Sequence, residues 1–385
     1  MKFINDLAKI INTGRSRSMI LHGNIHDLFY NQNKMVPLTT LLLSKTKVER
    51  SDKNKGITQI IYQVNRPIEI IGSDNLDELE TLWSNSHGDN RTLKSRLSET
   101  LDNSVYALEL LRQITECARV GKYKNNLLII VEAADMLLPE SPINNMMPAD
   151  RKRVSIVTDW FSDPQFNSSH DTVILISESR NGIQSRVSRL PQVLTVEIGL
   201  PDLEERKKLI EWYLESNSQK ADSSWLATNT SGLSLQAVLQ LLRSQDYNTE
   251  NVASKVEQYM ESQLGEGVVE FKRPTHKLND VVGFTRIKKF IAEELIPGFK
   301  SNGVDCIAGA LVGGPIGSGK TFICEAVASE VGCPVIVLKN IRSKWYGETD
   351  QIIERFSYRK RLHTGYRRHA VLTGGGRALG HSCWR

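Results

Sequence analysis

Two short runs constrain this chain more than anything else in it. Leu-Leu-Ile-Ile-Val at 127–131 is apolar at every position, and Thr-Val-Ile-Leu-Ile at 172–176 is nearly so. A strand with one wet face alternates polar and apolar residues. A strand without alternation is covered on both faces, as the strands of parallel sheets are. Met19-Ile20-Leu21, residues 57–64 and residues 193–198 repeat the pattern, and helical stretches such as 105–118 lie between them. Strands alternating with helices predict a parallel α/β sheet with helices on both faces.

The pattern then changes. Pro201-Asp202-Leu203-Glu204-Glu205 opens a helix, with Asp202 as N-cap and Glu205 placed to reach back in a capping box. Leu235, Val238, Leu239 and Leu242 follow at helical spacing. A small all-helical module is therefore expected after the sheet. A polar stretch punctuated by Gly265, Gly267 and Pro274 reads as a linker. Beyond it the α/β logic restarts: a strand over 307–312, a helix over 321–331 ended by Gly332 and Pro334, a strand over 335–338, and the start of a helix at 351–356. The expected organisation is a first unit at 1–262 (sheet to about 200, helical lid at 201–262), a linker at 263–277, an incomplete second α/β unit at 278–356, and a tail at 357–385. The 385 residues suffice for two domains of ordinary size.

The second unit carries the chemistry. Gly314-Pro315-Ile316-Gly317-Ser318-Gly319-Lys320-Thr321 fits G-x-x-x-x-G-K-[ST], between an expected strand and an expected helix. The glycines let the backbone curl so that successive N–H groups converge on phosphate oxygens. The helix that follows adds the positive end of its dipole. Lys320 supplies a full positive charge for the outer phosphates, and the Thr321 hydroxyl is suited to ligate Mg²⁺. Phe322 continues the segment. ATP and Mg²⁺ are the expected cofactors.

These residues, with those around them, resemble the AAA+ ATPase family. Asp280-Val281-Val282-Gly283 is similar to the segment that lines the adenine pocket there, which puts Val282 and Gly283 beside the base. Lys344-Trp345-Tyr346-Gly347-Glu348-Thr349 is similar to the family's pore loop. The resemblance implies that Trp345, Tyr346 and Gly347 grip a polypeptide at the centre of a homo-oligomeric, hexameric ring. The first unit resembles the same family more faintly, through the strand before Glu132-Ala133-Ala134-Asp135 and the segment Gly199-Leu200-Pro201-Asp202-Leu203-Glu204-Glu205-Arg206.

The first unit also departs from that pattern. After Met19-Ile20-Leu21, where a phosphate loop belongs, the chain reads His22-Gly23-Asn24-Ile25-His26-Asp27, with no Gly-Lys-Thr. Glu132 stands where the family has its Mg-coordinating Asp, and Ala133 where it has its water-activating Glu. Without an anion cradle and a general base there is no visible means of hydrolysis, and a degenerate, structural domain is expected. Arg186 and Arg189 fall near the family's arginine fingers, and read more simply as surface arginines. His22, His26 and Asp27 invite a metal reading that flanking Gly23 and Asn24, loop residues, oppose.

Composition separates the tail from the body. The net charge is +5, yet residues 357–385 hold seven Lys/Arg and no acid, leaving 42 basic against 44 acidic residues elsewhere. The tail shows no apolar periodicity and lacks the second acid-bearing strand, sensor strand and lid that the family pattern requires. A reading-frame shift near residue 357 accounts for this. His363-Thr364-Gly365-Tyr366-Arg367-Arg368, read one base later, permits Ile-Leu-Val-Ile-Asp-Asp. The rival is a native basic arm for nucleic acid, which nothing in the near-neutral body supports.

The remaining features are plain. Cys117, Cys306, Cys324, Cys333 and Cys383 are scattered, odd in number and never paired as C-x-x-C, so free thiols are expected. No apolar run approaches a membrane span, and the first residues lack a signal-peptide pattern, so the expectation is a cytoplasmic protein without a membrane partner. Two functions remain open. One is an ATPase that couples hydrolysis to remodelling of a protein substrate, although this sequence lacks the second unit's catalytic acids. The other is a non-catalytic nucleotide-binding docking or switch protein.

Overall fold

The computed structural model describes residues 1–31, 34–46, 56–87, 91–244, 252, 254–256, 258–259, 269–272, 276–300, 310, 312–315, 317–331, 335–338 and 371–374. By compactness the chain divides into two units, Met1–Pro201 with Ser234–Gln236, and Asp202–Leu233 with Ala237–Arg385. The boundary at Pro201 lies between the sheet and the small helices that follow it, which cluster with later residues.

The strands of the first unit are β1 (Ser18–Gly23), β2 (Leu28–Asn31), β3 (Lys34–Pro37), β4 (Ile57–Tyr62), β5 (Glu69–Ile70), β6 (Asn126–Val131), β7 (Thr172–Ser177) and β8 (Val193–Ile198). Six of them form one sheet in the order β5-β4-β6-β7-β1-β8. Every pairing is parallel except that of the short edge strand β5 on β4. The five long apolar runs of the sequence are its five long strands. β7 is buried at all six positions, the condition that removed alternation from its sequence.

Successive side chains leave a strand on opposite faces, and the core divides accordingly. Ile20, Leu127, Ile129, Val131, Val173 and Leu175 enter one apolar cluster, whereas Met19, Leu21, Leu128, Ile130, Ile174 and Ile176 enter another. The helices are α1 (Lys2–Thr13), α2 (Leu38–Lys45), α3 (Ser73–His87), α4 (Leu93–Ser98), α5 (Ser104–Val120), α6 (Ala134–Leu137), α7 (Pro148–Ser162), α8 (Pro164–Ser168) and α9 (Ser185–Ser188). α3, α4, α5, α7 and α8 cover the first face through residues such as Trp83, Leu97, Leu111, Trp160 and Phe166. α1 and α2 cover the second through Phe3, Leu7 and Ile10, and Leu38, Leu41 and Leu42. β2 and β3 form an antiparallel hairpin between β1 and α2.

The second unit opens with α10 (Leu203–Ser216) and α11 (Ser223–Asn229). Its capping box is formed as expected: Asp202 accepts from the Glu205 N–H at 2.8 Å, and Glu205 accepts from the Asp202 N–H at 3.3 Å. Buried Arg206 donates to the Ala227 carbonyl at 3.0 Å and ties α10 to α11. Helix α12 (Leu235–Arg243) carries the helical spacing of Leu235, Val238, Leu239 and Leu242, and its first two residues belong to the first unit.

Farther along lie β9 (Val269–Lys272), α13 (Thr285–Phe290), a π-helical turn at Ile291–Leu295, α14 (Ile296–Lys300), α15 (Lys320–Val331), β10 (Val335–Leu338) and β11 (Val371–Gly374). Two sequence expectations are corrected here. The stretch read as a linker contains β9, antiparallel to β10, because Val-Glu-Phe-Lys alternates in spite of the punctuation around it. The tail read as patternless contains β11, parallel to β10, built on the apolar pair Val371-Leu372. The strand expected over 307–312 lies mostly outside the described residues, and its described members Ala310 and Val312 are in irregular backbone. The helix start at 351–356 lies outside them. Among the described residues no helix is long and apolar enough to cross a membrane.

Candidate functional site

Helix α15 begins at Lys320, immediately after the glycine-rich loop. Gly317 and Gly319 have φ of 82° and 78°, and a Cβ on either would meet nothing within 4 Å. Backbone conformation, not crowding, is what demands glycine at both positions. The loop is on the surface: Gly314, Pro315, Gly317, Gly319 and Thr321 are exposed, and Ser318 and Lys320 half-buried. The Lys320 ammonium folds over its own loop, donating to the carbonyls of Gly314 at 3.0 Å and Pro315 at 2.5 Å, with Ser318 Oγ at 3.5 Å. Lys320, Thr321 and Phe322 form the first turn of α15, whose N–H groups have no acceptor within the helix. The loop thus presents one ammonium, one hydroxyl and a helix N-terminus together. Ile316 lies outside the described residues.

The segment before the loop is brought to the same helix. Leu278 and Val281 pack in one apolar cluster with Ile323, Ala326 and Val327 of α15. That contact leaves Val282 90% exposed and Gly283 at φ 78° with open space around it. His276, which the sequence reading did not single out, lies flat on Phe322, the ring centroids 3.9 Å apart and the planes 3° from parallel. Its Nε2 donates to the Phe322 carbonyl at 2.9 Å and lies 3.9 Å from Glu325. Two positions on from Phe322, burial and then the Glu325 charge push the Cys324 thiol above its ordinary range.

The corresponding place in the first unit is built differently. Strand β1 sits between β7 and β8, and its end stays bonded to both neighbours: the Gly23 N–H donates to the Glu178 carbonyl at 3.1 Å, and the Asn24 N–H to that of Ile198 at 3.0 Å. No glycine-rich loop follows; the β2–β3 hairpin intervenes before α2. At the end of β6, Glu132 accepts hydrogen bonds from Thr39 of α2 and from Gln63 just past β4, the latter at 2.7 Å. Ala133 beside it is left-handed at φ 50° and ψ 46°. Asp27, read from sequence as a loop residue, is only 4% exposed. Its carboxylate accepts from the Asn24 amide at 2.7 Å and from the N–H groups of Leu28, Leu235 and Gln236 at 2.8, 2.9 and 2.9 Å. Burial pushes that carboxyl up, and these four donors oppose the shift. His26 instead contacts Glu178 at 3.2 Å on the surface. Among the described residues no group of His, Cys, Asp and Glu is arranged to hold a metal ion.

Residues 2–199, more than half of the chain, match the family described as AAA+ chaperone, N-terminal Rossmann-like domain. The chain belongs to the AAA+ ATPase family. A second match, to the ATPase family associated with various cellular activities, covers residues 310–364 and so contains the glycine-rich loop. Within this AAA+ chain a 54-residue segment is 52% identical to the human (Homo sapiens) ATPase family gene 2 protein homolog A, covering 14% of this chain and 6% of that protein. The cell division cycle protein 48 homolog of Archaeoglobus fulgidus is 28% identical over 202 residues, 43% of this chain and 27% of the relative. Protein SAV of Sulfolobus acidocaldarius is 35% identical over 88 residues, 21% and 11% respectively. The chain thus spans about a quarter or less of the lengths of these relatives.

Trp345, Tyr346 and Gly347, assigned by resemblance to the AAA+ pore loop, lie outside the described residues. Arg186 lies within α9 and Arg189 at its C-terminal cap, and both are exposed. Three functional-looking residues escaped the sequence reading: Thr39, His276 and the buried state of Asp27. Their partners lie 93, 46 and 208 positions away, and no local pattern announces such pairings.

Proposed function

We propose that this AAA+ chain binds ATP with Mg²⁺ at its second unit and that its first unit is a structural domain without turnover. The observation that carries the reading is the loop before α15: two glycines that need positive φ, then Lys320 and Thr321 opening the helix. Those residues fit a triphosphate. The backbone of Gly314, Pro315, Gly317, Ser318 and Gly319, with Ile316 between them, would cradle phosphate oxygens. Lys320 would exchange two loop carbonyls for them, and the Thr321 hydroxyl would reach the metal. Val282 and Gly283, held near α15 by the Leu278–Val281 contact, would border the base together with Phe322. Mg²⁺ held there would supply positive charge against that of the phosphates. In the complete protein, hydrolysis would be coupled to remodelling of a protein substrate in a homo-oligomeric, hexameric ring, with Trp345, Tyr346 and Gly347 gripping the polypeptide.

The tail from residue 357 is read as the product of a reading-frame change near that residue. The gene sequence downstream of codon 356 tests it: an intact frame with no alternative acid-bearing strand would remove the idea.

The site is tested by calorimetry with ATP and Mg²⁺ on the full chain. Binding lost in Lys320→Ala, with thermal unfolding unchanged, is expected. Equal binding by the variant would refute the assignment. Phosphate release then separates the ATPase from the non-catalytic switch, which binds nucleotide without releasing phosphate.

A further inference from the structure

In open α/β sheets, ligands bind beyond the carboxyl ends of the strands. The end of β1, an interior strand flanked by the parallel neighbours β7 and β8, is such a place. What is found there is a carboxylate from the chain itself. Asp27 lies four residues beyond β1 and directs both oxygens at donors, two of which are the first N–H groups of α12. Those groups have no acceptor within the helix, and with the helix dipole they favour an anion. The Asn24 amide and the Leu28 N–H complete the set, so four donors surround one buried negative charge. Both α12 residues involved belong to the first compact unit, so the contact is internal to it.

We propose that Asp27 is an internal anion that occupies the place a ligand anion would take, fixing the start of α12 to the end of β1 without nucleotide. This deepens the reading of the first unit as a structural domain and rests on it. The loss of a Gly-Lys-Thr loop after β1 and the gain of a buried carboxylate are then one change. The donors remain, and their acceptor has become covalent. A unit wired this way keeps one conformation whatever the nucleotide concentration, because a ligand shifts only those equilibria in which it has differential affinity.

Hydrogen exchange on the full chain tests this. In the unaltered protein, the amides of Leu235 and Gln236 should be protected equally with and without ATP and Mg²⁺; protection that rises more than about tenfold on addition of nucleotide would overturn the proposal. In Asp27→Ala, exchange at those two amides should accelerate at least tenfold while β6 and β7 keep their protection. Unchanged exchange there would also overturn it. Formate at constant ionic strength should restore protection in Asp27→Ala, whereas chloride should not; rescue by neither makes Asp27 a packing residue only and refutes the anion role. Failure of nucleotide binding at Lys320 would leave the Asp27 arms readable, so the two ideas fail separately.

Discussion

Replacing Glu132 by alanine separates a structural first domain from a catalytic one. The Glu132 carboxylate ties Thr39 of α2 to Gln63 past β4, holding a helix on one face of the sheet to the ends of two strands. Hydrogen bonds to a charged group contribute about 1.5–3 kcal/mol each when buried. All three partners here are half-buried, so water can replace part of what is lost. A net destabilisation of about 2–3 kcal/mol follows from the lower end of that range. For a domain of some 200 residues this corresponds to a fall in Tm of roughly 5–10 °C. Glu132→Gln keeps one acceptor oxygen and should lose about half as much. A double-mutant cycle with Thr39→Val isolates the helix contact, with an expected coupling of about 1 kcal/mol. Thermal unfolding followed by tryptophan fluorescence gives the stability, and nucleotide binding per folded molecule gives the function. Glu132→Ala should lower the first and leave the second unchanged. An unchanged Tm with lost nucleotide binding would refute the reasoning, since it would make Glu132 part of a working site.

Three further outcomes follow from buried polar groups. The Tyr62 hydroxyl is fully buried without a hydrogen-bond partner, so Tyr62→Phe should stabilise the fold by about 1 kcal/mol in a denaturant titration, and a loss of that size would show an unrecognised partner. Burial pushes the Tyr62 phenol up to about 12, partly offset by the Arg153 charge. Its folded pKa is above its unfolded one, so this residue makes stability fall as pH rises from about 10 towards 12, and Tyr62→Phe should flatten that part of the alkaline profile. The raised Cys324 thiol should react slowly with iodoacetamide near pH 8 in peptide-level footprinting of the native chain; labelling as fast as in the unfolded chain would show that burial does not protect it.

What could be read in advance was whatever a local pattern encodes. Residues 127–131 and 172–176 announced β6 and β7 because burial on both faces leaves no polar position to interrupt them. Asp202 and Glu205 announced their capping box because the two partners are three residues apart. The start of α15 followed from Gly-Lys-Thr. The hairpin of β2 and β3 was missed because its strands are four residues long with mixed polarity, as was β5 with two. Asp27 does lie in the loop between β1 and β2, but its burial was not legible because its partners come from residues two hundred positions later.

The strand order has a consequence for how the chain is made. β1 is made before every other strand of its unit, yet both of its partners, β7 and β8, come near the end of that unit. At about 5–20 residues per second, roughly ten to thirty-five seconds separate the synthesis of β1 from that of β8. Throughout that interval Met19, Ile20 and Leu21 have no sheet to join. The nascent chain therefore carries an unpaired apolar strand while most of the first unit is made, and a holding chaperone has a defined target in β1.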